Sequence, residues 1–204
     1  TVLHIHTSTA CTVFKGDDRV NSVLCQDQSI AADMVIVGIG ILPNIELAQQ
    51  AGLECDNGIL VDDHCRTSDP DIFSAGDCTN HPNPILGRRL RLESVPNAME
   101  QARTSAANML GGDKTYAAVP WFWSDQYELK LQMVGFSSDG DTAVLRGDPE
   151  ALQFATFYLK DGKVVAVDAV NSPKEFMVAK RLYGMQVNAD SLADSAIDLK
   201  SLIS

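Results

Sequence analysis

Closely spaced cysteine pairs are missing from this chain of 204 residues: its five cysteines, Cys11, Cys25, Cys55, Cys65 and Cys78, stand at least ten positions apart. Their odd number and wide spacing argue against a disulfide framework and a C-x-x-C redox pair, so dithiol chemistry within the chain is excluded. Basic residues are scarce, with 16 Lys and Arg against 27 Asp and Glu and a net charge of −11. That balance disfavours nucleic acid and anionic membranes as partners and leaves acidic partners needing a local basic patch. No apolar run is long enough to span a bilayer, and the opening "TVLHIHTSTA" lacks the charged-then-apolar layout of a signal peptide. A cytoplasmic address is therefore expected. Histidines number four. His4 and His6 share one side of a possible strand but lack the further ligands a metal needs, so no metal is expected, and His64 and His81 read as surface groups in loops. What is present is globular material, 45% hydrophobic and 21% charged, enough for one large core or two smaller ones.

Residues 1 to about 42 are strand-like: "CTVF", the turn "KGDD", "RVNSVLC", the turn "QDQS", then "ADMVIVGIG". Met34 to Val37 is continuously apolar, as in a central strand of a parallel sheet covered on both faces. The following "GIGILPN" fails as a dinucleotide fingerprint because Pro43 stands where the third glycine is needed. Gly38 and Gly40 keep a weaker option, the close approach of some ligand to bare backbone.

Asn44 is placed to cap a short helix, "IELAQQA", with Gly52 as its stop. Strands are expected at "GILV" and "DIFSA", and Thr79 to Leu92 has the composition of a surface connection. A helix then begins near Ser94–Val95 with Pro96 in its first turn, and Ala98, Ala102, Ala106, Met109 and Leu110 supply an apolar face. Beyond about Ala117 the aromatic run "VPWFWSDQY" leads into "LKLQMVGF", "TAVLRG", "LQFATFYLK" and "KVVAVDAV", which read as one antiparallel sheet. Asp161-Gly162 is a hairpin turn within it. Ser172, Pro173 and Glu175 suggest a capping box for a helix ended by Gly184, and a last helix is expected over about 191–203.

The stretch "TSDPDIFSAGDC", residues 67–78, carries the strongest hint of a ligand. A short buried strand, then Gly76, then the bare carboxylate of Asp77 is an arrangement that brings backbone and acid close to a polar molecule. A turn aspartate is the plainer alternative.

Five blocks together resemble the FAD-dependent, NADH-oxidising ferredoxin reductases: "ADMVIVGIGILPN", "GILVDDHCRTSDPDIFSAGDC", "RLESVPNAMEQAR", "PWFWSDQYELKLQMVG" and "FYLKDGKVVAVDAVNSPKEF". The likeness implies an α/β fold: partial FAD/NAD(P)-binding three-layer domains followed by a small α+β C-terminal reductase domain. Residues 1–42 would be the end of an NAD-binding domain, 43–117 the returning part of an FAD-binding domain, and 118–204 the reductase C-terminal domain. It implies FAD and NADH as cofactors and a [2Fe–2S] ferredoxin as electron acceptor. By resemblance Asp77 accepts from a ribityl hydroxyl, with Gly76 keeping bulk away. The amide of Val95 meets the flavin pyrimidine, Trp123 packs at the flavin edge, and Glu93 lies nearby or pairs with Arg88, Arg89 or Arg91. Arg88, Arg89, Arg91 and Arg103 are the candidate docking patch for an acidic ferredoxin.

The family's two G-x-G-x-x-G loops, which hold the FAD pyrophosphate and NADH, are absent here. The expectation is a C-terminal half whose partner is the N-terminal half of the same protein, and which alone binds FAD weakly or not at all. The alternatives are a non-catalytic association or dimerisation module without flavin, or part of a rubredoxin reductase or NADH oxidase.

Overall fold

A computed structural model describes residues 3–203 and divides the chain into two compact units, Thr1–Leu42 and Pro43–Ser204. In the first unit, β1 (Cys11–Lys15), β2 (Ser22–Cys25) and β3 (Gln28–Ala31) form an antiparallel meander in the order β1-β2-β3. Its tight connections keep each strand beside its sequence neighbour, so part of the expected turn "QDQS" is strand. The register places Cys11 opposite Cys25, and the two are disulfide-bonded. This corrects the reading of unpaired cysteines: sequence spacing of 14 says little once two strands fold back on each other.

Met34–Val37 is not a strand. Among the described residues it has no ladder partner, and Ile36 is 90% exposed. An extended segment without a neighbour leaves its backbone groups to water, so apolarity alone does not make it a sheet member.

The second unit opens with α1 (Glu46–Gln50), which is capped at Ile45 without a side-chain bond, so Asn44 is not its cap. Next come β4 (Ile59–Leu60), β5 (Thr79–Asn83) and β6 (Arg88–Arg91), with β5 parallel to β4 and antiparallel to β6. The expected strand "DIFSA" is only an isolated bridge from Phe73 to Arg66. The supposed surface connection after it supplies β5, whose Thr79, Asn80, His81 and Asn83 are buried. Burial of so polar a strand is tolerated in part because its asparagine side chains find partners. Asn80 Nδ2 donates to Asp56 O at 2.7 Å and Asn83 Nδ2 to Ala118 O at 2.9 Å.

The helix α2 (Val95–Met109) follows, then β7 (Trp121–Gln126), β8 (Leu129–Gly135), β9 (Thr142–Asp148), β10 (Gln153–Lys160) and β11 (Lys163–Val170). These five strands form one antiparallel sheet in the order β7-β8-β11-β10-β9: the four expected strands, with the aromatic run added as the edge strand β7. The β10–β11 turn has Asp161 and Gly162 both at positive φ (50° and 75°), the conformation an Asp-Gly hairpin requires. One sheet face, including Val134, Phe157 and Val167, packs under α3 (Pro173–Leu182), which contributes Phe176, Ala179 and Leu182 to the core.

Ser172 precedes α3 but spends its hydroxyl on Val170 O at 2.9 Å, so the capping box is not formed. The last helix is two short pieces, α4 (Ala189–Ala193) and a 3₁₀ turn at Leu199–Leu202. Arg146 organises the chain between them, donating to the carbonyls of Leu192, Asp194, Ser195 and Ile197. No helix among the described residues is long and apolar enough to cross a membrane.

Candidate functional site

The helix α2 organises the site, and it does so with the face opposite to the one its hydropathy suggests. Ala102, Ala106, Met109 and Leu110 are exposed, whereas Pro96, Asn97, Gln101, Thr104, Ser105 and Asn108 are buried. The apolar face is therefore not the packed one. Polar residues win the interior because they tie three loops to the helix. Asn108 donates to His64 O and Lys114 O and accepts from Lys114 N at 2.8 Å. Asn97 accepts from Tyr116 Oη at 2.9 Å and donates to Leu92 O. Gln101, fully buried, takes the Gly76 N–H on its Oε1 at 2.7 Å.

That last bond positions the Gly76–Asp77 turn. Gly76 has φ +90°, a left-handed conformation that costs glycine little, and a Cβ built there would lie 3.6 Å from that of Ala98. Held from both sides by α2, the turn presents Asp77 to solvent; its carboxylate has no hydrogen-bond partner among the described residues. Its carbonyl accepts from Arg91 Nη1 at 3.0 Å.

At the helix tip, Ser94 caps by accepting from Asn97 N, and Pro96 has no N–H to offer. Val95, 56% exposed, keeps its amide among the first-turn donors that a helix leaves without intrahelical partners. Beside it lies a hollow of about 300 Å³ lined by Glu93, Ser94, Trp121, Phe122, Met133 and Asp168. Burial raises the pKa of Asp168, opposed by its hydrogen bond with Tyr158. Asp77, Val95 and Trp123 do not line this hollow. Trp123 is 38% exposed on β7, and its ring meets that of Trp121 with centroids 5.5 Å apart. Trp121 packs against the core of the C-terminal sheet and also lines this hollow.

The arginines do not form a free patch. Arg88 makes a bidentate pair with Asp139 at 2.8 and 3.0 Å and stacks on Phe136. Arg89 donates to Val61 O and Asn80 O, both at 2.7 Å. Arg91 pairs with Glu93 at 2.9 Å, the ion-pair alternative for that acid. Only Arg103 of the four is exposed with neither an ion pair nor a side-chain hydrogen bond among the described residues. Consecutive arginines on a strand are drawn to carbonyls and carboxylates on both sides, which removes most of them from docking. In the first unit Gly38 and Gly40 have open surroundings, with no atom within 4 Å of a built Cβ, so neither records a close approach.

Both loop histidines are more than surface groups. His81 is 1% exposed, edge-on to Tyr116 with ring centroids 5.0 Å apart, and neither ring nitrogen has a hydrogen-bond partner among the described residues. Burial, reinforced by Arg89, lowers its pKa to about 4. His64 lies between Asp63 (2.7 Å) and Asp113 (2.9 Å), and the bond to Asp63 is the main cause of its raised pKa. Asp62, Asp63 and His64 place ligand atoms within 4.8 Å of one another, but His64 has both nitrogens engaged. Sequence reading misses Gln101 and His81. The signal for Gln101 is a polar stripe at 97, 101, 104/105 and 108, which has the period of a helix face but the wrong polarity for a core.

Fold and site together define a mixed α/β unit of the FAD/NAD-binding oxidoreductase kind, with a five-stranded antiparallel domain appended. Residues 3–102 match the pyridine nucleotide-disulphide oxidoreductase family and residues 121–203 match the reductase C-terminal family. It is 50% identical over 177 residues to the anthranilate 1,2-dioxygenase system ferredoxin–NAD(+) reductase component of Burkholderia cepacia, covering 85% of this chain and 44% of that protein. It is 46% identical over 188 residues to putidaredoxin reductase of Pseudomonas putida, covering 91% of this chain and 44% of that protein. The crystal structure of the ferredoxin reductase for the CYP199A2 system from Rhodopseudomonas palustris superposes with a TM-score of 0.91 at 37% identity, over 98% of this chain and 50% of that one. The covalent putidaredoxin reductase–putidaredoxin complex gives 0.88 at 44% identity, over 97% and 49%. The chain thus spans about half the length of the relatives it matches.

Proposed function

We propose that this chain is part of a flavoprotein oxidoreductase that passes electrons from NADH through FAD to a [2Fe–2S] ferredoxin. The observation that carries the reading is the Gly76–Asp77 turn, fixed to α2 by Gln101 and presenting a carboxylate without an internal partner. Its relatives are named for ferredoxin or putidaredoxin reduction, which supports the acceptor class. In this reading residues 1–42 end an NAD-binding domain, 43–117 return to an FAD-binding domain, and 118–204 are the reductase C-terminal domain.

The residues present fit FAD chemically. A free carboxylate suits ribityl hydroxyls, and an exposed first-turn amide suits a carbonyl on which negative charge grows. FAD, when bound, supplies hydride acceptance from NADH and delivery of single electrons to the ferredoxin. The chain's own part is to hold and shield. Asp77 accepts hydrogen bonds from the ribityl chain, Gly76 leaves room for it, and Val95 N–H donates to the pyrimidine. Trp123 excludes water at the ring edge. Arg103 is the arginine left to meet an acidic ferredoxin, and Glu93 keeps Arg91 on the Asp77 carbonyl. The exposed apolar face of α2 is the surface on which the remainder of such a flavoprotein packs. A cytoplasmic location belongs to the same reading.

The test uses a chimera that supplies, from the Pseudomonas putida relative, the portion this chain does not cover. It is expected to retain FAD, seen as visible flavin bands, and to reduce a [2Fe–2S] ferredoxin with NADH. Asp77→Asn weakens FAD binding about tenfold, as loss of a charged acceptor implies. A folded chimera that binds no FAD, or that transfers electrons to O₂ alone, overturns the proposal. Unchanged affinity in Asp77→Asn removes that residue from the site.

A further inference from the structure

We propose that Lys180 is a positioning residue: its ammonium group clamps Trp121 and, through Trp121, sets the orientation of Trp123. Lys180 projects from α3, and its Nζ lies 3.6 Å from the centroid of the Trp121 ring and 4.7 Å from that of Phe176. Trp121 and Phe176 rings are 6.0 Å apart, so the indole is held by a cation on its face and a benzyl ring beside it. The strand period places Trp121 and Trp123 on one face of β7, and their rings meet at 5.5 Å with a 30° tilt.

Each link in this row has a physical cause. An ammonium over an indole is drawn to the negative face of the ring, and the attraction grows when water is partly excluded. Lys180 is partly buried, which lowers its pKa, while Glu100 opposes the change. Trp123 has no such anchor among the described residues and is 38% exposed, so its rotamer is decided by what its inner face rests on. A Trp121 free to turn would present Trp123 with a different surface.

The role assigned to Trp123 rests on the flavoprotein reading above, but the clamp itself can be tested without flavin. The chain contains two tryptophans, so its indole spectra report this pair alone. Lys180→Met keeps the apolar stem and removes the charge, whereas Lys180→Arg keeps the charge.

The unsubstituted chain is expected to give an exciton couplet in circular dichroism, which Trp123→Phe abolishes. A contact of this kind is worth about fivefold in rotamer population. Lys180→Met therefore lowers the couplet by about half, with thermal stability close to that of the parent, and Lys180→Arg restores it. A full couplet in Lys180→Met means that the stem merely packs, and overturns the proposal. Loss in both variants also overturns it, because the charge is then not what holds the pair. If the couplet depends on charge but the chimera binds no FAD, the clamp stands and the flavin assignment falls.

Discussion

Between pH 6.5 and pH 4 the Pro43–Ser204 unit loses about 3 kcal/mol of stability, the consequence of one buried imidazole. His81 has an ordinary value of 6.5 and a value of about 4 in the fold. Below pH 6.5 the unfolded chain takes up a proton that the folded chain refuses until about pH 4. Stability therefore rises with pH across that window and is level above it, so far as His81 is concerned. Desolvation is the main cause, since the ring is buried against Tyr116 with no hydrogen-bond partner for its nitrogens among the described residues, and the Arg89 charge adds to it.

His64 acts with the opposite sign. Its raised value contributes stability below pH 6.5 that is lost as pH climbs through the folded value, so it governs the neutral side of the profile. Urea denaturation followed by tryptophan fluorescence at a series of pH values measures both. His81→Phe keeps an aromatic edge toward Tyr116 and removes the titration. It is expected to flatten the acid limb, and a limb of unchanged slope would locate the proton uptake elsewhere.

Replacing Gln101 by Met separates global from local stability. The substitution leaves the buried Gly76 N–H without its acceptor, a cost of about 1–3 kcal/mol. It also removes Gln101 Nε2, a buried donor that itself has no partner among the described residues and carries a similar cost. The two nearly cancel, so the unfolding free energy changes little. The turn does not share in the cancellation, because its own tie to α2 is gone. Hydrogen exchange at the Gly76 amide is expected to accelerate about 10- to 100-fold while core amides of the C-terminal sheet keep their protection. In the FAD-binding chimera the same variant weakens the cofactor through the loosened Asp77. Unaltered Gly76 exchange would show that backbone contacts alone hold the turn.

Legibility of the fold from sequence divides along the range of the interactions involved. The β10–β11 hairpin could be read directly: each strand alternates, and Asp161-Gly162 is suited to the positive φ values the turn adopts. The existence of α2 was equally plain, because its Ser94 cap, Pro96 and helical spacing are local features. Which face of α2 is buried was not plain. Gln101 has its partner 25 residues away and Asn108 has one 44 residues away, and hydropathy carries no record of either. The same holds for β5, a run of Thr, Asn, His, Pro and Asn that becomes interior because Asp56, Ala118 and Tyr116 arrive beside it. Met34–Val37 shows the reverse case, a segment with the composition of a central strand and no neighbour to make it one.

Of the site, the Gly76–Asp77 turn and the start of α2 were readable as motifs. Their arrangement was not. Local sequence determined the Asp161-Gly162 turn, the coiling of α2 and the alternation of the C-terminal strands, because φ preferences and side-chain periods act over a few residues. Only the tertiary structure decided that Trp121 lies at the hollow, that three of the four arginines are spent internally and that Cys11 meets Cys25. Those outcomes depend on which polar groups and rings long-range packing leaves without water, a condition set jointly by segments far apart in the chain.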